Sequence, residues 1–367
     1  MRPATHPSRS PRVVYFRVVE PEYPRNRRIR DFLCARGHEV VLVPPAISGP
    51  ALLRHATDLW RLFRVARPGD VLIVAEQYVR ATPIAALVAL VRRCELVVDA
   101  FVGIHETAVE DWQVAAPSSL RARRFRLQDR FALRVADCVL IDTDVRAARV
   151  RQSTSRTLPV ISLPVGAPVW ATPRERDHSG SPALRVLYYG NYVPLHGLDL
   201  VLRAIAATQR DVRLVLVGHG TRRPSFERQA RALGLGDAVE FRPSVAETEL
   251  ADLIAEHDVV LGVFGRSRKA STVIANKTWQ GLACGRTVVT RRSPALDELR
   301  PLVGDFLVEV DVDDALPLAQ ALDDLAANVA RLRRGNGDDQ VAERLEQYVR
   351  HRFETFGTWL DTPAAAS

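Results

Sequence analysis

Two short segments in the second half of the chain combine glycine, polar and basic residues at spacings that suit a phosphorylated ligand. The first segment, residues 189–197, reads Tyr-Gly-Asn-Tyr-Val-Pro-Leu-His-Gly. The second segment, residues 268–285, runs from Arg-Lys through Asn-Lys-Thr-Trp-Gln to a final Gly. Each joins an apolar, strand-like run to a helical pattern. Such loops at the edge of a parallel sheet offer backbone N–H groups to phosphates, so the pair predicts a nucleotide-type ligand.

The glycines of the first segment allow the backbone to approach a ligand closely. Gly190 permits a tight turn, and Gly197 opens a helix whose N-terminus favours an anion. His196 beside that helix start could donate to a phosphate, although a plain turn with a surface histidine is the alternative. The following strand ends in a second glycine pair. The ligand-binding candidates here are Gly190, Asn191, His196, Gly197, Gly218 and Gly220.

The second segment places a cation at the start of a predicted helix. Asn276 is a plausible N-cap, and Gly285 a plausible C-terminal stop. Lys277 and Gln280 are three residues apart and share a face, which suits a diphosphate and a ribose diol. The alternative is a capped helix with a solvated lysine. Counting the preceding loop, the candidates are Arg268, Lys269, Asn276, Lys277 and Gln280.

Alternating apolar strands and amphipathic helices must position these residues, which predicts an α/β fold with parallel, doubly wound sheets. A length of 367 residues favours two domains. We expect two Rossmann-like domains facing a cleft, with a C-terminal helix that crosses back to the N-terminal domain. The predicted bounds are 1–168 for the first domain, 169–183 for a linker, 184–340 for the second domain and 341–367 for the C-terminal helix and tail.

Several stretches taken together resemble the C-terminal, donor-binding half of the family 4 glycosyltransferases, which are retaining, sugar-nucleotide-dependent enzymes of the GT-B fold. The resemblance is carried by residues 189–197, 217–220, 276–285 and 293–295. It extends over about residues 184–310, and in the first half it rests on the Arg-Gly-His-Glu-Val sequence of residues 36–40. It implies a UDP- or GDP-sugar donor, no required cofactor, a diphosphate held by both segments, and a ribose facing Gln280.

The chain departs from the commonest pattern of that family at four positions. Asn191 and His196 stand where many members carry Arg and Lys. Thr272 and Gln280 stand where many carry two glutamates. Cations of the second segment and Arg266 would then supply the phosphate charge. The motifs Pro-Leu-His-Gly and Asn-Lys-x-x-Gln resemble a subgroup active on polysaccharide or lipid-linked sugars.

The first half is implied to bind the acceptor, through the loop of residues 101–111 and the end of the preceding strand. Asp99 and Glu106 are the acceptor-side candidates, and His105 is the catalytic candidate, either orienting the acceptor or contacting the donor sugar. Front-face attack assisted by the leaving phosphate requires no strong protein base. Glu110 and Asp111 are expected to cap the following helix. The Asp-Thr-Asp sequence of residues 142–144 also indicates capping, and no metal is predicted.

Composition limits the remaining possibilities. The net charge of +8 favours anionic partners, but no nucleic-acid-binding signature is present. Four scattered cysteines and the polar N-terminus favour a cytoplasmic protein. The apolar run 81–91 is too short to span a bilayer and predicts a buried helix. The arginine-rich helix 120–135 could contact an anionic membrane peripherally and admit a lipid-linked acceptor, although a solvated basic face is the alternative.

The retaining glycosyltransferase is the first functional hypothesis, with a glycan, lipid-linked or small-molecule acceptor. A second is another GT-B enzyme such as a sugar-nucleotide epimerase. A third, kept open by Thr272 and Gln280, is a catalytically silent nucleotide-sugar-binding partner of another transferase.

Overall fold

The computed structural model describes residues 10–154, 156–174, 182–335 and 339–362. Contacts group the chain into two units. The first unit comprises the residues up to Val165 together with those from Val349 onward, and the second comprises Gly166–Tyr348. Residues 175–181 of the predicted linker lie outside the described part of the chain. No helix in the described part is long and apolar enough to cross a membrane.

The first unit contains a six-stranded parallel sheet in the order β2-β1-β3-β4-β5-β6. The strands are β1 (Val13–Phe16), β2 (Val40–Val43), β3 (Val71–Val74), β4 (Glu95–Asp99), β5 (Cys138–Ile141) and β6 (Val160–Ser162). Strands β1, β3, β5 and β6 are buried along their whole length, as a parallel sheet covered by helices requires, whereas the first three residues of β2 are half-buried. The strand order reverses between β1 and β3. Apolar runs at residues 13–18, 39–43, 70–75, 96–100 and 138–142 predict the first five strands from the sequence. Strand β6 was missed because it has only three residues.

The helices that follow these strands in the described chain are α1 (Pro24–Ala35), α2 (Ala51–Val65), α3 (Thr82–Arg92), α4 (Leu120–Val135) and α5 (Asp144–Ser153). A π-helical turn, Glu106–Asp111, lies between β4 and α4. The expectation that the run 81–91 is wholly buried was wrong. One face of α3 packs on the core, but Leu87, Leu90 and Val91 are 50%, 79% and 57% exposed.

The second unit repeats the architecture, with a parallel sheet in the order β12-β11-β10-β7-β8-β9. Its strands are β7 (Leu184–Tyr189), β8 (Val212–Val217), β9 (Val239–Arg242), β10 (Val259–Leu261), β11 (Thr287–Arg291) and β12 (Leu307–Val310). Its helices are α6 (Leu198–Ala207), α7 (Arg223–Ala232), α8 (Leu250–Ala255), α9 (Asn276–Ala283), α10 (Arg300–Val303), α11 (Leu316–Ala327) and α12 (Val329–Gly335). The order reverses between β7 and β10.

The last helix, α13 (Asp339–Asp361), begins in the second unit, and its later residues belong to the first. There Phe353 packs edge-on against Phe32 of α1, with ring centroids 5.2 Å apart. Arg36 pairs with the Glu354 carboxylate at 2.7 Å. The predicted α/β class with two Rossmann-like sheets is confirmed. Ligands of such sheets bind beyond the carboxyl ends of the strands, where the strand order reverses.

Candidate functional site

Two glycines bring the loops after β7 and β8 into backbone contact. Gly190 has φ of +125° and Gly218 has φ of +150°, values that L side chains rarely adopt. A Cβ on Gly218 would lie 2.0 Å from the Gly190 carbonyl oxygen. Gly220 is similarly close to Tyr192, since its Cβ would lie 3.0 Å from the Tyr192 Cβ. Only glycine therefore permits this arrangement of the sheet edge.

The loop after β7 is also joined to the loop after β10. The Phe264 N–H donates to the His196 carbonyl (3.1 Å), and the Gly265 N–H donates to the Leu195 carbonyl (3.0 Å). Gly197, with φ of +63°, makes this approach possible, because a Cβ there would lie 2.4 Å from the Phe264 carbonyl carbon. The first segment thus meets the loop that leads into the second segment where the strand order reverses.

Lys277 lies in the first turn of α9 and is the central charged group of this edge. The chain has two lysines against 49 arginines, and both lysines fall in the second segment. Lys277 is 5% exposed, and its Nζ has no hydrogen-bond partner among the described residues. The Nζ lies 3.9 Å from the centre of the Tyr188 ring and next to Gly190, whose Cβ would be 3.8 Å away. Burial holds the pKa of Lys277 well below its usual value.

His196 is held in one orientation by its neighbours. Its Nδ1 lies 2.8 Å from the Asn191 carbonyl oxygen and 2.7 Å from the Tyr188 hydroxyl. A carbonyl only accepts, so Nδ1 carries the proton in the neutral ring. The pKa of His196 is held well below its usual value, mainly by burial and to a smaller extent by the Lys277 charge. The Nε2 atom is then an acceptor, and it can donate to a phosphate only after taking up a second proton.

The two positions where glutamates were absent in the sequence hold neutral groups with partners. Gln280 is 5% exposed, and its Oε1 accepts a hydrogen bond from the Tyr189 hydroxyl at 2.7 Å. The Thr272 hydroxyl donates to the carbonyls of Arg268 (3.2 Å) and Lys269 (3.1 Å). Gln280 therefore keeps its amide nitrogen, a donor, for any further contact.

The remaining residues of the second segment lie around the start of α9. Asn276 is the first residue of the helix, and Ala275 occupies the cap position, so the predicted Asn276 cap was wrong. The stop at Gly285 is confirmed, with φ of +65°. In the preceding turn Arg268 is exposed and Lys269 half-buried.

Arg266, which precedes that turn, is exposed. Its guanidinium donates to the backbone carbonyls of Val312 (2.8 Å) and Asp313. These bonds use two of its five N–H donors and leave its charge in place, so the expectation that Arg266 supplies phosphate charge stays a prediction.

In the first unit, Asp99 at the end of β4 is part of a buried ion pair. It is 0% exposed, and its two oxygens accept from Arg25 at 2.7 and 2.9 Å. Arg25 also donates to the Leu163 carbonyl (2.7 Å), which ties α1 to the edge of the sheet. The arrangement indicates a positioning role for Asp99 and leaves no surface for an acceptor.

Glu106 is also paired. One oxygen accepts from Arg146 at 2.8 Å, and Arg146 donates in turn to Asp142 at 2.5 Å. Burial lowers the pKa of Arg146, but Asp142 and Glu106 more than offset this and the net direction is upward. Thr143 caps α5 by accepting from the Arg146 N–H, as predicted. In the described ranges, no group of three or more His, Cys, Asp or Glu side chains is placed to hold a metal ion.

His105 is the N-cap of the π-helical turn and is oriented from three sides. Its backbone N–H donates to Asp129 (2.9 Å), its Nε2 lies 3.2 Å from an Arg126 nitrogen, and its Nδ1 lies 3.4 Å from Glu110. Arginine only donates, so Nε2 accepts and Nδ1 carries the proton. Glu110 and Asp111 lie within the turn, and Ser119 caps α4, so their predicted capping role was wrong.

The buried partners of these residues were missed at the sequence level. Arg25, Arg146 and Tyr189 fix the candidate side chains across sequence separations of 74, 40 and 91 residues. Their one local signal is position: Arg25 and Arg146 open helices and Tyr189 ends a strand.

Residues 183–328 match the model of the family described as glycosyl transferases group 1. The chain is 32% identical over 214 residues to the D-inositol 3-phosphate glycosyltransferase of Xylanimonas cellulosilytica, which covers 57% of this chain and 47% of that protein. The chain thus spans about half the length of this relative. Residues 183–328 are thus similar to the domain that this family model describes.

Solved structures of the same fold cover nearly the whole chain. Anabaena Alr3699/HepE in complex with UDP-glucose is 15% identical, with a TM-score of 0.68 and coverage of 95% of this chain and 99% of that one. A UDP-forming α,α-trehalose-phosphate synthase from Burkholderia xenovorans is 14% identical, with a TM-score of 0.66 and coverage of 97% and 100%. These similarities show a GT-B fold.

Proposed function

We propose that this protein is a retaining family 4 glycosyltransferase that moves a sugar from a nucleotide-diphosphate donor to a glycan, lipid-linked or small-molecule acceptor. One observation carries the proposal: the buried Lys277 ammonium, which lacks a hydrogen-bond partner in the described chain, beside glycines at the reversal of the second sheet. A buried cation without an anion is costly. A diphosphate at this edge would supply the missing acceptor.

The donor contacts follow from the edge geometry. The diphosphate would lie over Gly190 and accept from Lys277, with the N-terminal N–H groups of α9 adding favourable dipoles. Arg268 and Lys269 precede that helix and would contact the outer oxygens. The Gln280 amide nitrogen would donate to a ribose hydroxyl, because its oxygen is already engaged by Tyr189. We favour a uridine nucleotide, supported by the UDP named in complexes of the same fold.

The chemistry we propose is front-face transfer assisted by the leaving phosphate. The bond from the anomeric carbon to the diphosphate breaks, and the acceptor oxygen bonds to that carbon on the same face. The leaving oxygen takes the acceptor proton, and Lys277 stabilises the charge that develops on the diphosphate. No protein base is needed on this route. His105 would orient the acceptor or contact the donor sugar through its imidazole, which Arg126 and Glu110 hold in place. The retaining outcome is supported by the resemblance of the two segments to family 4.

Membrane contact through α4 is a further part of the proposal. Leu120, Leu127 and Phe131 of this arginine-rich helix are 82%, 63% and 40% exposed. Exposed apolar side chains among arginines suit an anionic bilayer surface. Flotation with vesicles containing anionic lipid tests it, and failure to bind at low salt would remove the membrane from the proposal.

The donor proposal is tested by a thermal-shift screen of sugar nucleotides, followed by nucleotide release with acceptor mixtures. We expect stabilisation by one donor family and release only when acceptor is present. The Arg203→Gln variant is a control that should respond to donors as the wild type does, because Arg203 pairs with Asp199 on the exposed face of α6. If no sugar nucleotide stabilises the protein, the donor site is rejected.

A silent nucleotide-sugar-binding partner is the second candidate function. It is favoured by Gln280 and Thr272, whose neutral side chains are satisfied by Tyr189 and by backbone carbonyls. The same screen separates the two functions. Stabilisation by a donor without turnover against any acceptor would favour the silent partner.

A further inference from the structure

A cavity of about 400 Å³ opens in the first unit, at the carboxyl edge of its sheet. Arg17 follows β1 directly, while Tyr78 and Arg80 follow β3. The first turn of α2 contributes Arg54. The strand order of this sheet reverses between β1 and β3, which is where open parallel sheets bind ligands. None of these residues belongs to the candidate sets derived from the sequence.

Arg17 is built into this cavity under strain. It has φ of +63°, a left-handed conformation that is uncommon for a residue other than glycine and that often marks functional sites. The residue is 7% exposed. One terminal nitrogen lies 3.2 Å from the Asp58 carboxylate, but Nε has no hydrogen-bond partner among the described residues. A buried donor left in this state destabilises the empty protein.

Two further cations surround Arg17. The guanidinium carbons of Arg17 and Arg80 lie 4.8 and 5.6 Å from the centre of the Tyr78 ring. Burial lowers the pKa of Arg17, Asp58 opposes this, and the Arg80 and Arg54 charges lower it further. Asp58 is fully buried and also accepts from the Ala46 N–H. No acidic residue lines the described cavity. Asp58, which pairs with Arg17, therefore offsets one of these three positive charges.

We propose that this cavity binds the phosphate group of the acceptor, as a phosphomonoester or a lipid-linked phosphate. The inference rests on the proposed function, which requires an acceptor. Arginine forks match the geometry of phosphate oxygens and form charge-assisted hydrogen bonds with them. The cavity volume exceeds that of one phosphate, so part of the molecule that carries the phosphate fits beside it. Arg17 fixes the anion from the sheet edge, and Arg54 and Arg80 close around it.

The phosphate site is tested with the full chain and inorganic phosphate. The double variant Arg54→Gln/Arg80→Gln removes two cations and leaves the buried Arg17–Asp58 pair intact. By calorimetry we expect the Kd for phosphate to rise about tenfold to a hundredfold, the usual effect of losing charge-assisted hydrogen bonds. Arg64→Gln is the control, since Arg64 lies on α2 against the Trp60 ring and does not line the cavity. Equal phosphate affinity in the double variant and the wild type, or no binding to the wild type, would overturn the site.

The acceptor role is tested by nucleotide release with sugar phosphates, with polyprenyl phosphate in detergent, and with the unphosphorylated counterpart of each. We expect phosphorylated acceptors to be preferred. Comparing sugar phosphates with polyprenyl phosphate identifies which kind of phosphate the cavity binds. In the double variant, the KM for that acceptor should rise about tenfold to a hundredfold, while the Kd for UDP stays unchanged.

The two proposals fail in distinguishable ways. A wild-type protein that binds no sugar nucleotide rejects the proposed function, while the phosphate titration still tests the cavity. A protein that binds UDP but uses unphosphorylated acceptors equally well rejects the acceptor phosphate and leaves the donor site standing.

Discussion

Replacing Lys277 with methionine should weaken donor binding and at the same time stabilise the empty protein. The ammonium is 95% buried without a hydrogen-bond partner in the described chain, and its one favourable contact there is the Tyr188 ring at 3.9 Å. Methionine fills a similar volume without charge. Loss of the charged hydrogen bond should cost about 1.5–3 kcal/mol of donor affinity, which is about 10- to 150-fold in Kd.

The stability of the same variant should move in the opposite direction. Removing an uncompensated buried cation should raise the free energy of unfolding by about 1–3 kcal/mol, after allowance for the lost cation–π contact. The pH dependence follows from the lowered pKa. Between that pKa and the ordinary lysine value, the unfolded chain binds more protons than the folded one, so wild-type stability rises with pH in this window. Lys277→Met should remove that slope.

The assay combines calorimetric titration with UDP and chemical denaturation without ligand, for wild type, Lys277→Met and the control Arg203→Gln. The control should match the wild type in UDP affinity. A Lys277→Met protein that is less stable than wild type and binds UDP equally well would refute the reasoning, since the lysine would then be a structural residue and not a phosphate ligand.

Three further predictions concern the framework of the two units. Burial, with Asp99 nearby, raises the pKa of Glu76 to about 7, so the free energy of unfolding should fall by about 3 kcal/mol as pH rises from 4.5 through 7. Glu76→Gln should flatten that slope in denaturation curves, and an unchanged slope would contradict the assignment. Gly218→Ala should lower the free energy of unfolding by about 3 kcal/mol or more, because its Cβ would meet the Gly190 oxygen. Gly234→Ala is the control and should cost about 1–2 kcal/mol, because Gly234 has φ of +68° but open space around it. Equal losses would argue against the close approach. Asp99→Asn should lower the free energy of unfolding by about 3–5 kcal/mol, because it breaks the buried pair with Arg25. The control Asp211→Asn, in an exposed pair, should cost about 0–1 kcal/mol. A small effect of Asp99→Asn would reopen an acceptor role for Asp99.

Much of the fold was predictable because strands of parallel sheets are short apolar runs between helices. The apolar runs 13–18 and 185–189 predict strands, and the structure has β1 and β7 there, within one or two residues at their ends. Strand β6 was not predicted, since Val160–Ser162 is too short to show a pattern. The exposed face of α3 was not predicted either, because an uninterrupted apolar run does not indicate which side meets the core.

The sequence predicted which loops form the candidate site but not which of its side chains are buried. Gly190 and Gly218 follow strands and Gly197 opens α6, and all three permit close contacts between loops. That they let the backbone approach a ligand stays a prediction. The sequence could not show that Lys277 is buried, because solvation depends on β7 and its loop, nearly 90 positions away. For the same reason the Tyr189–Gln280 hydrogen bond was not foreseen. The cavity around Arg17 and Arg80 was missed because two strands separate these residues in the sequence.

A crystal structure of the full chain with UDP is the most direct test of the proposed donor site. We predict the diphosphate at the carboxyl edge of the second sheet, with an oxygen within hydrogen-bonding distance of the Lys277 Nζ and the backbone of Gly190 beneath it. UDP bound elsewhere, or a diphosphate at this edge with Lys277 still lacking an acceptor, would contradict the assignment.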